Sequence, residues 1–216
     1  MCDLRLRNPF SMLVAGSSQT GKTRWVRELL KRASELYSRK PGPVYFFHRE
    51  WQPIFEEMRK ELPAIRFERD MPDMSFFKTI SGTNATVILD DLLHKISAET
   101  TELFTVGCSR YGVNIIFITQ NLFDRSPHFR TISLNCKYFC IRKNPRDSSS
   151  ILHFARQIMP HNVTFLSRVY YHVTGRKAFT YIFYDADQST PENLRVRTNI
   201  FQEGASPIEC FFPVRS

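Results

Sequence analysis

A short loop bounded by two glycines constrains the fold of this chain more than any other stretch. It follows an apolar run, SMLVA, that is typical of a buried strand, and it precedes apolar residues at helical spacing. The loop consists of Gly16, Ser17, Ser18, Gln19, Thr20, Gly21, Lys22 and Thr23. The pattern G-x-x-x-x-G-K-T between a strand and a helix is the context that a phosphate-binding P-loop requires.

Each residue type in this loop suits the binding of ATP with Mg²⁺. Backbone N–H groups of the loop and of the helix N-terminus point at phosphate oxygens, so the backbone must approach the ligand closely. The Lys22 ammonium would lie beside the β- and γ-phosphates. The Thr23 hydroxyl would complete the shell of a Mg²⁺ ion, which prefers hard oxygen ligands. We therefore predict that residues 16–23 bind ATP and Mg²⁺.

Two further apolar runs end in the polar residues that such a site needs. The run TVILDD ends in Asp90 and Asp91, and ligands bind at the carboxyl ends of strands in open α/β sheets. We predict that Asp90 holds the magnesium ion and that Asp91 orients and deprotonates the attacking water. The run NIIFITQN brings Gln120 beside the γ-phosphate as a sensor of its presence, and Thr119 is the weaker candidate for that role.

Apolar runs alternate with helical patterns along the chain, which is typical of an α/β fold with a sheet between helices. Besides the three strands above, we predict strands over residues 43–48, 137–142, 178–186 and, at an edge, 195–201. Helices are predicted over residues 23–40, 51–62, 97–108 and 147–159. Because strands buried on both faces form continuous apolar runs, the central sheet should be mostly parallel. The extra strand at 43–48, between the loop and the acids, favours a motor-type ATPase over a small-molecule kinase.

Charge, cysteine content and hydropathy indicate which partner, thiol state and compartment to expect. The chain has 30 Lys and Arg against 21 Asp and Glu, a net charge of +9, which favours a polyanionic partner such as nucleic acid, although a solvated basic surface fits equally well. The five cysteines are odd in number and lack metal-type spacing, so we expect reduced thiols. No apolar run is long enough for a membrane span or a signal peptide, so we predict an intracellular protein without membrane insertion.

Beyond these motifs, the sequence resembles the FtsK/HerA superfamily of ring-forming, DNA-pumping ATPases. Within it, the chain is most similar to the genome-packaging ATPases of poxvirus-like and Polinton/adintovirus-like elements. The matching segments, spread over residues 8–201, are GSSQTGKT, WQPIFEEM, VILDDLL, LFTVGCSRYGVNIIFITQNLF, RTISLN, KNPRDSSSI, ARQIMP and LRVRTNIF. The resemblance implies a RecA-like (ASCE) P-loop NTPase core. It also implies a homo-oligomeric ring, a pentamer or hexamer, that translocates double-stranded DNA into a viral capsid at a packaging vertex.

The resemblance also implies an arginine that completes the site of the neighbouring subunit. The SRYG segment lies in the region of the family that carries this residue, but the arginine of the cellular relatives stands one place earlier, where this chain has Ser109. Arg110 is therefore the candidate, with Arg142 and Arg146 in reserve. The usual base in the family is glutamate, whereas Asp91 is a methylene shorter; related viral enzymes share the Asp-Asp form, so we expect the role to be kept.

We expect one P-loop ATPase domain over residues 1–201 and a tail over 202–216 that either docks on a partner or packs at an edge. The resemblance implies a location in the host cell, in the nucleus or a cytoplasmic virus factory, and association with the virion. Two other functions stay open. One is a replication-type helicase acting on single strands, and the other is a nucleotide-binding capsid component that does not hydrolyse ATP.

Overall fold

A nine-stranded β-sheet with helices on both faces organises the chain in the computed structural model, which describes residues 3–123, 126–147, 149–202 and 207–213. The strands are β1 (Ser11–Ala15), β2 (Val44–His48), β3 (Ile65–Arg69), β4 (Thr86–Asp90), β5 (Asn114–Thr119), β6 (Tyr138–Arg142), β7 (Tyr181–Asp185), β8 (Val196–Thr198) and β9 (Glu209–Phe211). The helices are α1 (Lys22–Lys31), α2 (Ala33–Leu36), α3 (Pro53–Glu61), α4 (Met74–Thr79), α5 (Ala98–Glu102), α6 (Cys108–Tyr111), α7 (Pro127–Asn135), α8 (Ser149–Ile158) and α9 (Val163–Arg176). A π-helical turn, Leu103–Gly107, joins α5 to α6.

The strand order places the polar strand ends next to one another. Across the sheet the order is β3-β2-β4-β5-β1-β6-β7-β8-β9. The strands from β3 to β6 pair in parallel, and β7, β8 and β9 pair antiparallel. The predicted, mostly parallel α/β sheet is therefore confirmed. Although β2 and β3 separate β1 from β4 in sequence, the strand that lies between them in space is β5, so the carboxyl ends of β1, β5 and β4 are neighbours.

Each central strand is apolar throughout because the sheet is covered on both faces. Successive side chains of a strand point to opposite faces. On one face, residues such as Val14 and Ile116 pack with α1, α2 and α3. On the other, residues such as Leu13 and Phe117 pack with α4, the helices from α6 to α9 and the π-helical turn before α6. The core is therefore two layers separated by the sheet.

The first predicted helix, 23–40, is interrupted. Helix α1 buries a stripe of Trp25, Val26, Leu29 and Leu30 and ends at Lys31. Beyond the short helix α2, the backbone turns away to pair with the N-terminal segment: the Leu6 N–H donates to the Leu36 carbonyl at 2.7 Å, and the Ser38 N–H donates to the Leu6 carbonyl at 2.8 Å. These non-local hydrogen bonds replace the ones that a longer helix would make.

Other helix starts follow the sequence signals. Pro53 occupies the first turn of α3, where a missing N–H costs nothing. Ser97 and Thr100 form a reciprocal capping box at α5. The Asp147 carboxylate accepts the N–H of Ser150 at 3.0 Å at the start of α8.

Several elements lie where the sequence analysis placed none: β3, α4, α7, α9 and β9. The strand predicted over 178–186 begins only at Tyr181, so residues 178–180 form a turn. The predicted edge strand, β8, is not at the edge, because Val196 pairs with Phe211 of β9. Of the tail predicted over 202–216, residues 203–206 and 214–216 lie outside the described residues.

The structure also shows the state of the cysteines and the length of the helices. The four cysteines within the described ranges (Cys108, Cys136, Cys140 and Cys210) are free thiols, as predicted, and Cys2 lies outside those ranges. Among the helices of the described residues, none is long and apolar enough to cross a bilayer.

A buried ion pair ties the antiparallel part of the sheet together. The Arg197 guanidinium on β8 donates to the Asp185 carboxylate at the end of β7, and both side chains are buried. Arg197 also donates to the Leu4 carbonyl at 3.3 Å and lies 5.3 Å from the centre of the Phe183 ring. Burial raises the pKa of Asp185 above its ordinary value, and the charge of Arg197 opposes this shift. The carboxylate therefore depends on its partner to remain charged.

Replacing this arginine should destabilise the fold strongly. We expect Arg197→Met to lower the free energy of unfolding by about 3–5 kcal/mol at pH 7, because Asp185 would stay buried without its partner. The raised pKa of the unpaired carboxyl should make this loss smaller as the pH falls, since the folded state then takes up a proton. Urea denaturation at several pH values measures both effects. The double variant Arg197→Met/Asp185→Asn should recover part of the loss, and no recovery would contradict this explanation.

Candidate active site

A cavity of about 490 Å³ opens at the carboxyl edge of the parallel strands. It is lined by Ser18, Gln19, Gly21, Lys22, Thr23, Arg24, Gln52, Pro53, Ile54, Asp90, Asp91, Ile118, Thr119, Gln120 and Phe179. Most of the predicted site residues therefore meet around one space. Gly16, Ser17 and Thr20 belong to the same loop but do not line the cavity, and Arg110 lies elsewhere.

The loop between β1 and α1 is shaped by its glycines and by its own hydrogen bonds. Gly21 has φ 81° at the start of α1, a left-handed conformation that glycine adopts without strain. A side chain on Gly16 would meet the Cβ of Arg142 at 2.7 Å, so only glycine allows β1 and β6 to approach so closely here. The Thr20 hydroxyl donates to the Ser17 carbonyl at 2.7 Å.

The N-terminus of α1 opens into the cavity. The first N–H groups of a helix have no acceptor within the helix. Those of Lys22, Thr23 and Arg24 therefore form a natural anion-binding site, strengthened by the helix dipole.

Backbone carbonyl groups of the loop hold the Lys22 ammonium in place. Its Nζ donates to the carbonyl oxygens of Gly16 at 2.7 Å and Ser17 at 3.0 Å. Burial lowers the pKa of Lys22, while the charges of Asp90 and Asp91 act in the opposite direction. The positive charge thus lies within electrostatic reach of both acids.

The two acids line one cavity because the backbone turns between them. In an extended strand, consecutive side chains would point to opposite faces. Asp90 ends β4, whereas Asp91 has φ 56°, a left-handed conformation that aspartate tolerates better than most residues. The Asp91 N–H still donates to the Ile118 carbonyl on β5 at 3.2 Å, which anchors this turn to the sheet.

Asp90 is buried and its charge is poorly solvated. Burial raises its pKa to about 7; Lys22 lowers this value and Asp91 raises it further. Gln52, just before α3, donates from Nε2 to Asp90 Oδ2 at 3.4 Å. No sequence motif points to Gln52 as a site residue, because nothing in the sequence indicates that the start of α3 reaches the end of β4.

Gln120 joins the end of β5 to the loop. It directly follows β5, and its Oε1 accepts a hydrogen bond from the Ser18 hydroxyl at 3.2 Å. Thr119 is buried, and its hydroxyl accepts the N–H of Asn121 at 3.3 Å. Of these two neighbours, Gln120 therefore offers the polar group that touches the loop.

The residues present fit a magnesium ion held mainly by a ligand's phosphates. Mg²⁺ in such sites is bound by one or two protein oxygens together with phosphate oxygens and water. Thr23 and Asp90 supply a hydroxyl and a carboxylate in the same cavity. No cluster of three or more His, Cys, Asp or Glu side chains suited to a metal occurs within the described part of the chain, and this mode of binding does not need one.

Arg142 supports the loop through hydrogen bonds from β6, a role that no sequence motif indicates. Its guanidinium is buried at the end of β6 and donates to the carbonyl of Thr20 and, at 2.8 Å, to that of Phe179. It also lies 5.5 Å from the centre of the Tyr181 ring. Arg142 is thus buried and hydrogen-bonded within its own subunit through one guanidinium nitrogen, which argues against the reserve role of a residue reaching into a neighbour.

The other two arginines considered for that role lie in different places. Arg110 is on α6, just before the amino end of β5 and so at the opposite end of that strand from the cavity, and its exposed side chain pairs with Glu102 at 2.9 Å. Arg146 follows β6 and lines a separate cavity of about 440 Å³ with Ser17, Ser18 and Gln120. Arg146 therefore faces the loop of its own subunit, and Arg110 is far from it.

Removing the charge of Asp90 should stabilise the protein in the absence of ligand. An ordinary Asp has a pKa of about 3.9 and each pKa unit corresponds to about 1.36 kcal/mol, so we expect Asp90→Asn to raise the free energy of unfolding by about 1–4 kcal/mol at pH 8. The wild-type protein should lose stability as the pH rises from about 3.9, the ordinary pKa of Asp, to about 7, the folded-state pKa of Asp90. The difference between the two proteins should therefore shrink at lower pH. Chemical denaturation without nucleotide or Mg²⁺ measures this, and a less stable Asn variant at pH 8 would contradict the assignment.

No protein-family model and no curated protein sequence matches the chain. Among solved structures, it is similar to B204, the DNA-packaging ATPase from Sulfolobus turreted icosahedral virus, with a TM-score of 0.58 and 11% identity over 97% of this chain and 100% of that chain.

Two structures of the genome packaging NTPase B204 from Sulfolobus turreted icosahedral virus 2 are also similar. The complex with ATP-gammaS has a TM-score of 0.55 and 11% identity, covering 95% of this chain and 98% of that chain. The complex with AMP has a TM-score of 0.54 and 12% identity, covering 84% and 94%. At such low identity the likeness concerns the fold. This chain therefore has the fold of a P-loop NTPase, with a mostly parallel sheet flanked by helices.

Proposed function

We propose that this protein is an ATP-hydrolysing motor that moves double-stranded viral DNA into a capsid. The observation that carries the proposal is the single cavity that contains Lys22, Asp90, Asp91 and Gln120 beside the N-terminus of α1. A protein that only bound nucleotide would have no use for a second acid and a polar sensor. The fold shared with viral packaging NTPases supports the choice of substrate and cellular task.

Hydrolysis in such a site is mainly positioning and charge stabilisation. The α1 N–H groups and Lys22 would hold the triphosphate; Lys22 would exchange its loop carbonyls for phosphate oxygens. Thr23 and Asp90 would hold Mg²⁺, which when bound neutralises charge on the phosphates. Asp91 would accept a hydrogen bond from the attacking water and take its proton. Gln120 would contact the γ-phosphate and, through Ser18, report its loss to the loop.

A ring arrangement would complete the site. A trans arginine accelerates P-loop enzymes by about 10³–10⁵-fold where it occurs. Arg110 lies near the amino end of β5, whereas the cavity of its own subunit is at the carboxyl end. It would therefore act on the cavity of a neighbouring subunit. We propose a homo-oligomeric ring, a pentamer or hexamer, in which each subunit supplies Arg110 to the next.

The DNA partner is supported by charge rather than by a defined groove. The net charge of +9 suits contacts with phosphates, which bind duplex DNA without reading its sequence. A pump that must move any genomic sequence needs contacts of this kind. The capsid vertex and a place in the infected host cell belong to the same proposal.

Asp91 should matter more for the hydrolysis of ATP than for the binding of ATP. We expect Asp91→Asn to lower kcat by about 10²–10⁴-fold, because the water loses its base, with ATP affinity nearly unchanged. Steady-state hydrolysis with and without duplex DNA, together with calorimetric binding, measures both quantities. Duplex should stimulate the wild-type rate.

Two variants serve as controls for this experiment. Lys22→Ala should lose ATP binding, whereas Asp70→Asn, an exposed acid outside the cavity, should behave as wild type. Full turnover in Asp91→Asn would assign the base elsewhere. Strand displacement instead of duplex translocation would favour the helicase alternative, and binding without turnover in the wild-type protein would favour a non-hydrolysing capsid component.

Two inactive variants should restore activity when mixed if Arg110 acts in trans. Arg110→Ala should assemble but not turn over ATP, and Lys22→Ala cannot bind ATP but still carries Arg110. In mixed rings, an Arg110→Ala subunit beside a Lys22→Ala subunit regains a complete site, so activity should return at intermediate ratios. Arg168→Ala, an exposed arginine of α9, is the matched control and should remain active alone. A mixture that stays inactive at every ratio contradicts the trans role.

A further inference from the structure

A second cavity adjoins the first at the N-terminus of α1. Its volume is about 600 Å³, and it lies between α1, the end of α9 and the antiparallel strands. The two cavities share Gly21, Arg24 and Phe179. Phe179 thus stands at the boundary between the predicted phosphate site and a second space that no motif accounts for.

Phe179 is held in an unusual exposed position. It lies in the turn before β7, with φ 65°, a conformation that is costly for a bulky residue. Its side chain is 56% exposed, so core packing does not account for it. The Phe179 carbonyl accepts from Arg142 at 2.8 Å, and the hydroxyl of the next residue, Thr180, donates to Val173 at 2.8 Å and Lys177 at 2.9 Å.

The aromatic ring is also close to the phosphate-binding turn. A Cβ built on Gly21 would lie 3.1 Å from Phe179 Cδ1 and 3.4 Å from the Arg142 guanidinium. Because Arg142 donates to both Thr20 and Phe179, the loop and the turn that carries the ring are fixed to the same side chain. The backbone of the turn that carries the ring is therefore fixed relative to the loop by Arg142.

The direction of a bound nucleotide follows from the order of the strands. In a P-loop, the lysine reaches the β- and γ-phosphates, and the backbone N–H groups hold the α- and β-phosphates. The γ-phosphate end of a bound nucleotide would therefore face Asp90 on β4 and Gln120 after β5. At a spacing of about 4.8 Å per strand, β6 lies about 14 Å from β4 across the sheet. The ribose and base would then extend past β1 toward β6 and the turn that carries Phe179.

We propose that Phe179 is the stacking surface for the nucleobase of the bound nucleoside triphosphate, with the base entering the second cavity beside Arg24. The inference rests on the proposed nucleotide site and adds to it a residue that binds the base rather than the phosphates. An exposed aromatic ring beside the base end offers a face on which any base can stack. The mouth of the phosphate site and the wall of the second cavity are then one binding surface.

The test compares a ligand that has a base with one that has none. Calorimetry with Mg²⁺ measures the affinities of ATP and of inorganic tripolyphosphate for the full-length protein. We expect Phe179→Ala to weaken ATP binding by about ten-fold or more and to leave tripolyphosphate binding unchanged. Phe179→Tyr, which keeps a stacking face, should bind ATP as the wild type does. Phe212→Ala, which removes a phenylalanine that is 52% exposed and lines neither cavity, should change neither affinity.

The outcomes separate this inference from the proposed function. Equal weakening of both ligands in Phe179→Ala overturns the stacking role, because the residue would then act only by shaping the loop. Unchanged ATP binding in that variant overturns it as well. A wild-type protein that binds neither ligand refutes the nucleotide site and the inference with it, whereas one that binds both ligands equally tightly overturns the inference alone. Thermal unfolding of each variant confirms that the compared proteins are folded.

Discussion

The parallel insertion of β5 between β1 and β4 is the constraint on which the rest of the structure depends. Hydrogen bonds along β5 fix the register of both neighbours, with Ile115 opposite both Ser11 and Val87. Three strands that end at the same edge bring the loop, the acids and Gln120 together without any direct link between them in sequence. The helices on the two faces bury these strands, so the arrangement is set by the core and not by the site.

The site itself carries charge that the fold alone does not satisfy. Burial acts against the charged forms of both Lys22 and Asp90, lowering the pKa of the first and raising that of the second. Loop carbonyls and Gln52 provide partial compensation. In the proposed function, a triphosphate with a divalent cation would supply the missing partners and would relieve this cost. Functional sites commonly trade stability in this way.

Arg142 gives the loop a rigid support that reaches beyond the phosphate site. One buried guanidinium holds the carbonyl of Thr20 in the loop and that of Phe179 in the turn before β7. Arg142 therefore links the loop, which follows the parallel strand β1, to the turn before the antiparallel strand β7. Arg110, in contrast, is exposed near the amino end of β5, away from the cavity, where it would take part in the proposed hydrolysis only through a second subunit.

The sequence by itself determined the α/β class, the loop with its glycines and Lys22, and the two acids, because each depends on local patterns: apolar runs, a spacing of glycines, and strand ends. Only the tertiary structure decided that β5 separates β1 from β4, that Asp91 turns back into the cavity, and that Arg142 and Phe179 lie against Gly21. Those facts depend on contacts between residues far apart in the chain. Local propensity carries no information about such contacts, and packing of the two core layers decides them.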